Sequence, residues 1–165
     1  MFTNQRGEKF MKKITSILII LGLTFIFSPS YAADNSGSGS TTQDSTQSFD
    51  TQLANARNLI ENKKWKKAIT ELKKLSKTNK NNADVWNLLG FAARNSGDLK
   101  NSASYYKKAL SIDSKHLGAL EYQGELFLKL KQLKNAKKNL ELLKNYCGTS
   151  CEEYIDLDKA IKNYM

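Results

Sequence analysis

The feature that most constrains the fold of this chain is an internal similarity with a period of 34 residues. Small or apolar side chains recur at this spacing in six sets of positions. The sets are Ala56, Gly90 and Gly124; Ala68, Ser102 and Ala136; Leu72, Tyr106 and Leu140; Leu75, Ala109 and Leu143; Trp65, Leu99 and Leu133; and Leu59, Ala93 and Phe127. A repeat of this length corresponds to a pair of helices that buries its apolar face by stacking on neighbouring pairs. Because such arrays usually bind other proteins, we expect no enzyme activity.

The apolar residues within each period follow helical spacing. Leu53, Ala56 and Ile60 lie three and four residues apart, and strand-like alternation is absent from the sequence. No proline follows Pro29, so none interrupts a helix beyond it. The sequence therefore predicts an all-α fold that begins near Phe49. The three predicted helix pairs cover about 49–82, 83–116 and 117–146.

Residues 83–115 resemble a tetratricopeptide repeat, whose pattern begins W-x2-L-G-x2-Y. The residues that match the pattern are Trp86, Leu89, Gly90, Ser102, Tyr106 and Ala109. Ala93 stands where tyrosine is usual, and Ser114 replaces the terminal proline. Weaker copies flank this segment on both sides. The resemblance implies a right-handed superhelical solenoid of antiparallel helix pairs, with three repeats and a C-terminal capping helix.

A set of thirteen residues is expected to pack the repeats together. They are Ala56, Ala68, Leu72, Trp86, Leu89, Gly90, Ser102, Tyr106, Ala109, Gly124, Phe127, Ala136 and Leu140. At Ala56, Gly90 and Gly124 we expect the first helix of a repeat to cross the second so closely that a large side chain would not fit. Trp65 and Trp86 are interpreted as core residues between the layers rather than as ligand-stacking residues.

The resemblance also implies that the first helix of each repeat lines a concave groove that binds segments of other proteins. The residues at the matching positions are Leu53, Arg57, Asn87, Phe91, Arg94, Asn95, Glu121, Glu125 and Leu128. Arginine can bind a carboxylate through two hydrogen bonds, and Phe91 can anchor an apolar side chain. This mixed surface suits an extended or helical peptide. The alternative is that these are ordinary exposed helix residues.

One subfamily binds chaperone C-termini through a two-carboxylate clamp built from lysine and asparagine. The corresponding positions in this chain are Leu53, Arg57, Leu88, Gly118 and Tyr122. Only Arg57 could serve in such a clamp, so the sequence does not support that function.

Residues 147–165 are predicted to form a capping helix that covers the last repeat. Gly148 suits a helix C-cap, and Ser150 followed by Glu153 is typical of a capping box. Cys147 and Cys151 are predicted to form a disulfide that pins this helix. The alternative is a redox role, although the C-x3-C spacing differs from the C-x2-C of thioredoxin-like proteins.

Residues 1–32 have the layout of a secretory signal peptide. A basic start at Met11 to Lys13 precedes an apolar run over residues 14–27, and small residues lead to a cut after Ala32. The true start is either Met1 or Met11. The run is shorter than the ~20 residues that a membrane span needs, which favours cleavage over an uncleaved anchor. We expect export to a Gram-negative periplasm, with residues 33–48 as a flexible tether.

The full chain carries a net charge of +10, and residues 33–165 carry +7. Paired lysines on helix surfaces contribute much of this charge, and we interpret them as a solvated face. The alternative is attraction to an anionic partner such as lipid headgroups. Export argues against a nucleic-acid partner, and any membrane contact is expected to be peripheral. Self-association through an exposed edge of the first helix is a further hypothesis.

The sequence contains no recognisable catalytic, cofactor or metal motif. His116 is the only histidine, is expected to be exposed, and has no accompanying nucleophile motif. Neither a P-loop nor a dinucleotide-binding fingerprint occurs. Two cysteines and a distant histidine do not supply four zinc ligands. We therefore expect another protein as the partner, with no catalytic residue, cofactor or metal.

Overall fold

The computed structural model describes residues 48–165, and this part of the chain forms seven α-helices and no strand. The helices are α1 (Phe49–Glu61), α2 (Trp65–Thr78), α3 (Ala83–Asn95), α4 (Leu99–Ile112), α5 (Leu117–Lys129), α6 (Leu133–Cys147) and α7 (Glu152–Tyr164). The predicted all-α solenoid of helix pairs is confirmed. We refer to α1, α3 and α5 as the first helices and to α2, α4 and α6 as the second helices. The predicted signal peptide and almost all of the tether lie outside the described residues.

Polar side chains begin four of these helices by the same local contact. Ser48 Oγ accepts a hydrogen bond from the Thr51 amide at 3.3 Å, Asn82 Oδ1 from Val85 at 3.1 Å, Asp98 Oδ1 from Asn101 at 3.1 Å, and His116 Nδ1 from Ala119 at 3.2 Å. Each contact satisfies an amide that has no partner inside the helix. This requirement explains why the helices start at these points of the sequence.

The turn between the first and second helix has the same backbone conformation in all three repeats. Lys63, Gly97 and Lys131 have φ angles of 55°, 91° and 59°, and they are spaced by the period of 34 residues. Residues with a side chain are disfavoured in this left-handed region, whereas glycine adopts it readily. The two lysines therefore occupy a conformation that is intrinsically better suited to glycine.

The helices pack so that the first helices share one side of the array. Each second helix contacts the first helix of its own repeat, and α2 and α4 also contact the first helix of the next repeat. First helices of adjacent repeats contact one another as well. Within residues 48–165 no second helix contacts another second helix. The second helices therefore diverge on the opposite side. α7 packs against both α5 and α6, as a capping helix would.

Most of the thirteen expected packing residues are buried. The buried members are Ala56, Ala68, Leu72, Leu89, Gly90, Ser102, Tyr106, Ala109, Gly124 and Ala136. Ser102 is polar but satisfied, because its hydroxyl donates to the Gly90 carbonyl at 2.9 Å. Phe127, Leu140 and Trp86 are only half-buried. The Trp86 indole N–H donates to the Lys80 carbonyl at 2.8 Å, which holds one edge of the ring at the surface.

The two glycines of the close-contact column meet different elements. A Cβ atom on Gly90 would lie 2.5 Å from the ring of Tyr106 in α4, as expected for a first helix crossing a second helix. A Cβ atom on Gly124 would lie 2.5 Å from Leu157 Cδ2, and Leu157 belongs to α7. The structure thus differs from the expected crossing at Gly124. The capping helix, rather than α6, fills the space beside this glycine.

The turn into α7 also differs in part from its prediction. Gly148 is the C-cap of α6 with φ 81°, as expected. The predicted capping box at Ser150 is wrong, because α7 begins at Glu152 with Cys151 as its N-cap and no side-chain cap. A disulfide joins Cys147 to Cys151, whose Cα atoms are 5.8 Å apart. None of the helices within residues 48–165 is long and apolar enough to cross a membrane.

Candidate partner-binding face

The nine residues predicted to line an exposed groove are mostly buried. The buried ones are Leu53, Asn87, Phe91, Arg94, Glu121, Glu125 and Leu128, each at most 9% exposed. Arg57 is half-buried and Asn95 is exposed. The interpretation of the whole set as ordinary exposed residues is therefore wrong, and so is the expectation of an open mixed surface. The groove residues are buried because side chains of α3 and α5 pack against one another where the two helices meet.

An ion pair joins the second and third repeats at the centre of this side. Arg94 Nη1 in α3 donates to Glu125 Oε2 in α5, and the two side chains are 4% and 7% exposed. Two charges removed from water to this degree are tolerated only when they are paired and hydrogen-bonded. Loss of either partner would leave a buried charge behind, so the pair makes the α3–α5 contact specific.

Aromatic rings surround this ion pair. The ring centroids of Phe91 and Tyr122 are 4.9 Å apart, and the Arg94 guanidinium carbon lies 5.4 Å and 5.5 Å from them. Trp65 meets Phe91 edge-on with a centroid distance of 6.1 Å. We call Trp65, Phe91, Arg94, Tyr122 and Glu125 the cross-repeat cluster. The cluster links all three repeats, because its members come from α2, α3 and α5.

Burial keeps the tyrosines near the cluster neutral. Burial raises the pKa of Tyr122 well above its usual range, and the negative charge of Glu121 adds to the effect. Burial likewise raises the pKa of Tyr106 to about 12. Both phenols therefore remain protonated even in alkaline solution where an exposed tyrosine would ionise, and they act as apolar rings with a hydrogen-bond donor.

The cluster follows a diagonal that the repeat period alone does not reveal. Arg94 and Glu125 are 31 residues apart, and so are Phe91 and Tyr122. This offset is one period less one helical turn, which is the spacing that brings adjacent first helices together here. Alignment by the period places Glu125 in the same column as Phe91. It does not include Tyr122 or Trp65 in the predicted groove. A search at the offset of 31 would have found both pairs.

The remaining predicted groove residues have separate surroundings. Leu128 belongs to a hydrophobic cluster near α7 that includes Leu143, Leu157 and Ile161, so it is a core residue. Asn95 Nδ2 donates to the Phe91 carbonyl of its own helix at 2.8 Å. The structure therefore brings together Phe91, Arg94 and Glu125, and it places Leu128 elsewhere.

A buried amide faces the junction of α3 and α5. Asn87 is 7% exposed, and its Oδ1 atom has no hydrogen-bond partner among residues 48–165. A Cβ atom on Gly118 would lie 3.4 Å from Asn87 Nδ2, so α3 and α5 approach each other closely at this point. An unused buried acceptor costs free energy, because the atom has lost its hydrogen bonds to water.

His116 and Asp84 form a second cross-repeat contact that the sequence did not predict. His116 Nε2 lies 3.1 Å from Asp84 Oδ1, while Nδ1 accepts from the Ala119 amide. Because Nδ1 is an acceptor, the ring proton belongs on Nε2 and is donated to the carboxylate. This hydrogen bond lowers the pKa of Asp84 below its usual range. The expectation of an exposed His116 is wrong, since its side chain is only 14% exposed.

One group of side chains within residues 48–165 has metal-ligating atoms close together. The Sγ atoms of Cys147 and Cys151 and a carboxylate oxygen of Glu153 lie within 4.8 Å of one another. Both sulfur atoms are engaged in the disulfide, and a thiolate rather than a disulfide sulfur is the metal ligand. This arrangement is therefore not an open metal site.

Known proteins resemble part of this chain in sequence. Residues 83–116 match the family model described as tetratricopeptide repeat. Tetratricopeptide repeat protein 37 of Xenopus laevis is 31% identical over 125 residues, which covers 68% of this chain and 8% of that protein. The chain thus spans about a twelfth of the length of this curated relative.

Two solved structures share the fold. The type III secretion translocator chaperone SycD of Yersinia enterocolitica has a TM-score of 0.65 and 16% identity, covering 79% of this chain and 94% of its own. PcrH, solved in complex with the chaperone-binding region of PopD, has a TM-score of 0.62 and 17% identity, covering 72% and 94%. With the repeat at residues 83–116 and three stacked helix pairs, this chain belongs to the tetratricopeptide repeat family.

Proposed function

We propose that the protein is a non-enzymatic scaffold that binds a segment of another protein on the side formed by its first helices. The observation that carries this proposal is the cross-repeat cluster. It fixes α3 and α5 in register, with an arginine against two aromatic rings at their junction. Helices held rigidly in register present their more exposed residues in fixed positions, which lowers the entropic cost of binding a partner.

The comparisons support a peptide as the partner. SycD is described as a translocator chaperone, and PcrH was solved with the chaperone-binding region of PopD. Both share the fold of this chain. A chain segment is the kind of ligand that one side of a short helical repeat can hold along its length.

The burial of the cluster gives its members and their neighbours different roles. We propose that Phe91, Arg94 and Glu125 position the helices, since their side chains are nearly inaccessible. The residues that touch the partner are then the more exposed residues of the first helices, Arg57 and Asn95. Arg57 would bind a carboxylate of the segment.

The test is affinity capture from an envelope extract with two variants, each of which carries two alanine substitutions. Arg57→Ala with Asn95→Ala alters the first-helix side, whereas Lys108→Ala with Ser104→Ala alters the exposed side of α4. We expect the first pair to lose a captured protein that the second pair and the unmodified protein retain. Equal capture by all three proteins would contradict the assignment.

We further propose that the protein works in the periplasm of a Gram-negative bacterium. Support comes from the basic start at Met11 to Lys13 and the apolar run over residues 14–27. N-terminal sequencing of the protein purified from the periplasmic fraction should give Ala33 as the first residue. An intact N-terminus in the membrane fraction would indicate an uncleaved anchor instead.

We propose a structural role for the Cys147–Cys151 bond. It connects the last residue of α6 to the N-cap of α7, so it limits how far the capping helix can move away. A loop this short gives an entropic stabilisation of only about 2 kcal/mol. Mass spectrometry of the alkylated protein, before and after reduction, should detect the bond. Binding of the partner should survive reduction, whereas loss of binding on reduction would favour a redox role.

A further inference from the structure

The charges of this protein are separated between the two kinds of helix. The three second helices carry twelve lysines, two glutamates and no arginine, a net charge of +10. The first helices and α7 together carry five basic and nine acidic residues, a net charge of −4. The positive charge of the described residues is therefore concentrated on the side where the second helices diverge.

All twelve lysines are exposed on the side of their helix that points away from the core. We call these lysines the second-helix face. They are Lys66, Lys67, Lys73, Lys74, Lys77, Lys100, Lys107, Lys108, Lys134, Lys137, Lys138 and Lys144. The residues that α2 buries, such as Ala68 and Leu72, lie on the opposite side of the helix. Within residues 48–165, Lys74 is the only one of the twelve that pairs with a carboxylate, at 3.0 Å from Glu71.

Several lysines of the second-helix face recur at the repeat period. Lys66, Lys100 and Lys134 occupy the same position in successive repeats, so each second helix presents a lysine at the same point of its first turn. Lys73 and Lys107 form a second such pair. The result is a regular array of point charges over three separate helices rather than a cluster around one spot.

We propose that the second-helix face binds an anionic lipid bilayer. Charge complementarity with a diffuse negative surface is the argument, because the lysines are spread over three helices and are almost all free to contact headgroups. Lysine acts as a mobile point charge, whereas discrete phosphate recognition usually employs the fork of arginine, which the second helices lack.

The second helices of the described chain carry one exposed aromatic ring, that of Tyr146 at the end of α6, and Lys115 Nζ lies 5.7 Å from its centroid. Single strands are held by exposed aromatic rings on which bases stack. The tyrosines of α4 do not serve this purpose, since Tyr106 is buried and Tyr105 packs against Trp86 at 6.0 Å. The sequence also places an apolar run at residues 14–27 ahead of the repeats, which brings the chain to a membrane whether the run is cut or retained.

This proposal is independent of partner binding, because it uses the side opposite the first helices. A lysine near an anionic surface strengthens binding by about fivefold, and salt screens the attraction over a Debye length of about 8 Å. Three lysines changed together should therefore weaken the attraction at least tenfold. One side of the protein would rest on the bilayer while the other remained open to a protein segment.

The test is acetylation footprinting of lysines in the full chain. This readout reports which side faces the lipid even where the apolar run also binds, because each lysine is scored separately by mass spectrometry. The probes are vesicles of phosphatidylcholine alone, vesicles with about one third phosphatidylglycerol, and a single-stranded RNA. Lys66, Lys100 and Lys134 are compared with three exposed lysines outside the face, Lys80, Lys129 and Lys159.

We expect the anionic vesicles to slow acetylation of Lys66, Lys100 and Lys134 several-fold, and this protection to vanish in about 0.5 M salt. The three outside lysines and the phosphatidylcholine sample should show no protection. Equal reactivity in both kinds of vesicle would overturn the proposal. Protection by RNA without protection by anionic vesicles would also overturn it and would identify a nucleic acid as the ligand.

A pair of triple variants completes the test. Lys66→Gln with Lys100→Gln and Lys134→Gln should weaken co-sedimentation with anionic vesicles at least tenfold relative to Lys80→Gln with Lys129→Gln and Lys159→Gln. The two variants lose the same charge, so only position distinguishes them. Circular dichroism should show both folded, since all six side chains are exposed. Equal binding by the two would contradict a specific face.

Discussion

Gly90 and Gly124 occupy equivalent positions in neighbouring repeats, yet different elements fill the space beside them. The ring of Tyr106 in α4, the second helix of the same repeat, lies against Gly90. The side chain of Leu157 in α7 lies against Gly124. An interior repeat therefore closes this contact within itself, whereas the last repeat depends on the capping helix. The same position in the repeat can serve different partners at the middle and at the end of the array.

The two junctions also differ in what holds them. The interior junction between α3 and α5 contains a buried ion pair and two aromatic rings in contact. The C-terminal junction is formed mainly by apolar side chains, including Leu128, Leu143, Leu157 and Ile161, with a disulfide at its edge. Polar contacts are geometrically specific, whereas apolar packing tolerates rearrangement. We therefore expect the interior junction to respond more sharply to substitution.

The largest expected effect is that of Arg94→Ala. The substitution removes the guanidinium that neutralises Glu125 in a site closed to water, so the free energy of unfolding should fall by about 3–5 kcal/mol. Arg57→Ala, in half-buried surroundings, serves as the control and should cost well under 1 kcal/mol. Urea unfolding measures both. A loss below about 1 kcal/mol for Arg94→Ala would show that the ion pair does not stabilise the interior junction.

Leu157→Ala tests the C-terminal junction. Leu157 is fully buried, so its truncation should cost about 2–4 kcal/mol. Gly124→Ala added to this variant should recover part of the loss, because the new methyl group enters the space that Leu157 vacated. A double-mutant cycle by thermal unfolding measures the coupling. Additive costs would indicate that Gly124 and Leu157 do not compete for the same space.

The same substitution at Gly90 and at Gly124 compares the two junctions directly. Gly90→Ala should cost about 2 kcal/mol, because the new methyl group meets an aromatic ring that is fully buried. Gly124→Ala should cost less, since the outer atoms of a leucine on a terminal helix can move aside more readily than a packed ring. Chemical unfolding of the two variants under identical conditions gives the ratio. A larger cost at Gly124 would reverse the proposed order of the junctions.

The smallest expected effect concerns the turn that all three repeats share. Gly97→Ala should cost about 1 kcal/mol for conformational reasons alone, because a methyl group there would meet no atom within 4 Å. Lys63→Gly and Lys131→Gly should each leave stability unchanged or raise it by about 0.5 kcal/mol. The melting temperature of Gly97→Ala should therefore fall, whereas those of the two lysine-to-glycine variants should stay unchanged or rise. Destabilisation by both lysine-to-glycine changes would indicate that these side chains make contacts outside the turn.

The fold was predictable because the residues that pack the repeats together recur at the repeat period. The small residues Ala56, Gly90 and Gly124 recur at one spacing, and all three are buried. Tyr106 belongs to another set with this spacing and is buried as well. The capping helix was predictable from its apolar spacing, but its first residue was not. Ser150 suits an N-cap on sequence grounds, whereas the turn that follows Gly148 places Cys151 there.

The site was less predictable than the fold, for a physical reason. Alignment by the period identifies equivalent residues, but contacts between repeats join residues that are not equivalent. Arg94 meets Glu125 and Phe91 meets Tyr122 along a diagonal offset by one helical turn. The partner of Gly124 was also missed, because α7 is not a copy of the repeat. The expected groove residues are buried because of these contacts between repeats, which no single residue of the sequence indicates.

Site-specific photo-crosslinking in cells shows directly whether the first helices bind the partner. A photoreactive residue is introduced at Arg57 or Asn95 on the first-helix side and, as matched controls, at Ser104 or Lys108 on α4. We expect one protein to be crosslinked from positions 57 and 95 and not from positions 104 and 108. Crosslinks to that protein from positions 104 and 108 alone would contradict the claim that the first helices bind the partner.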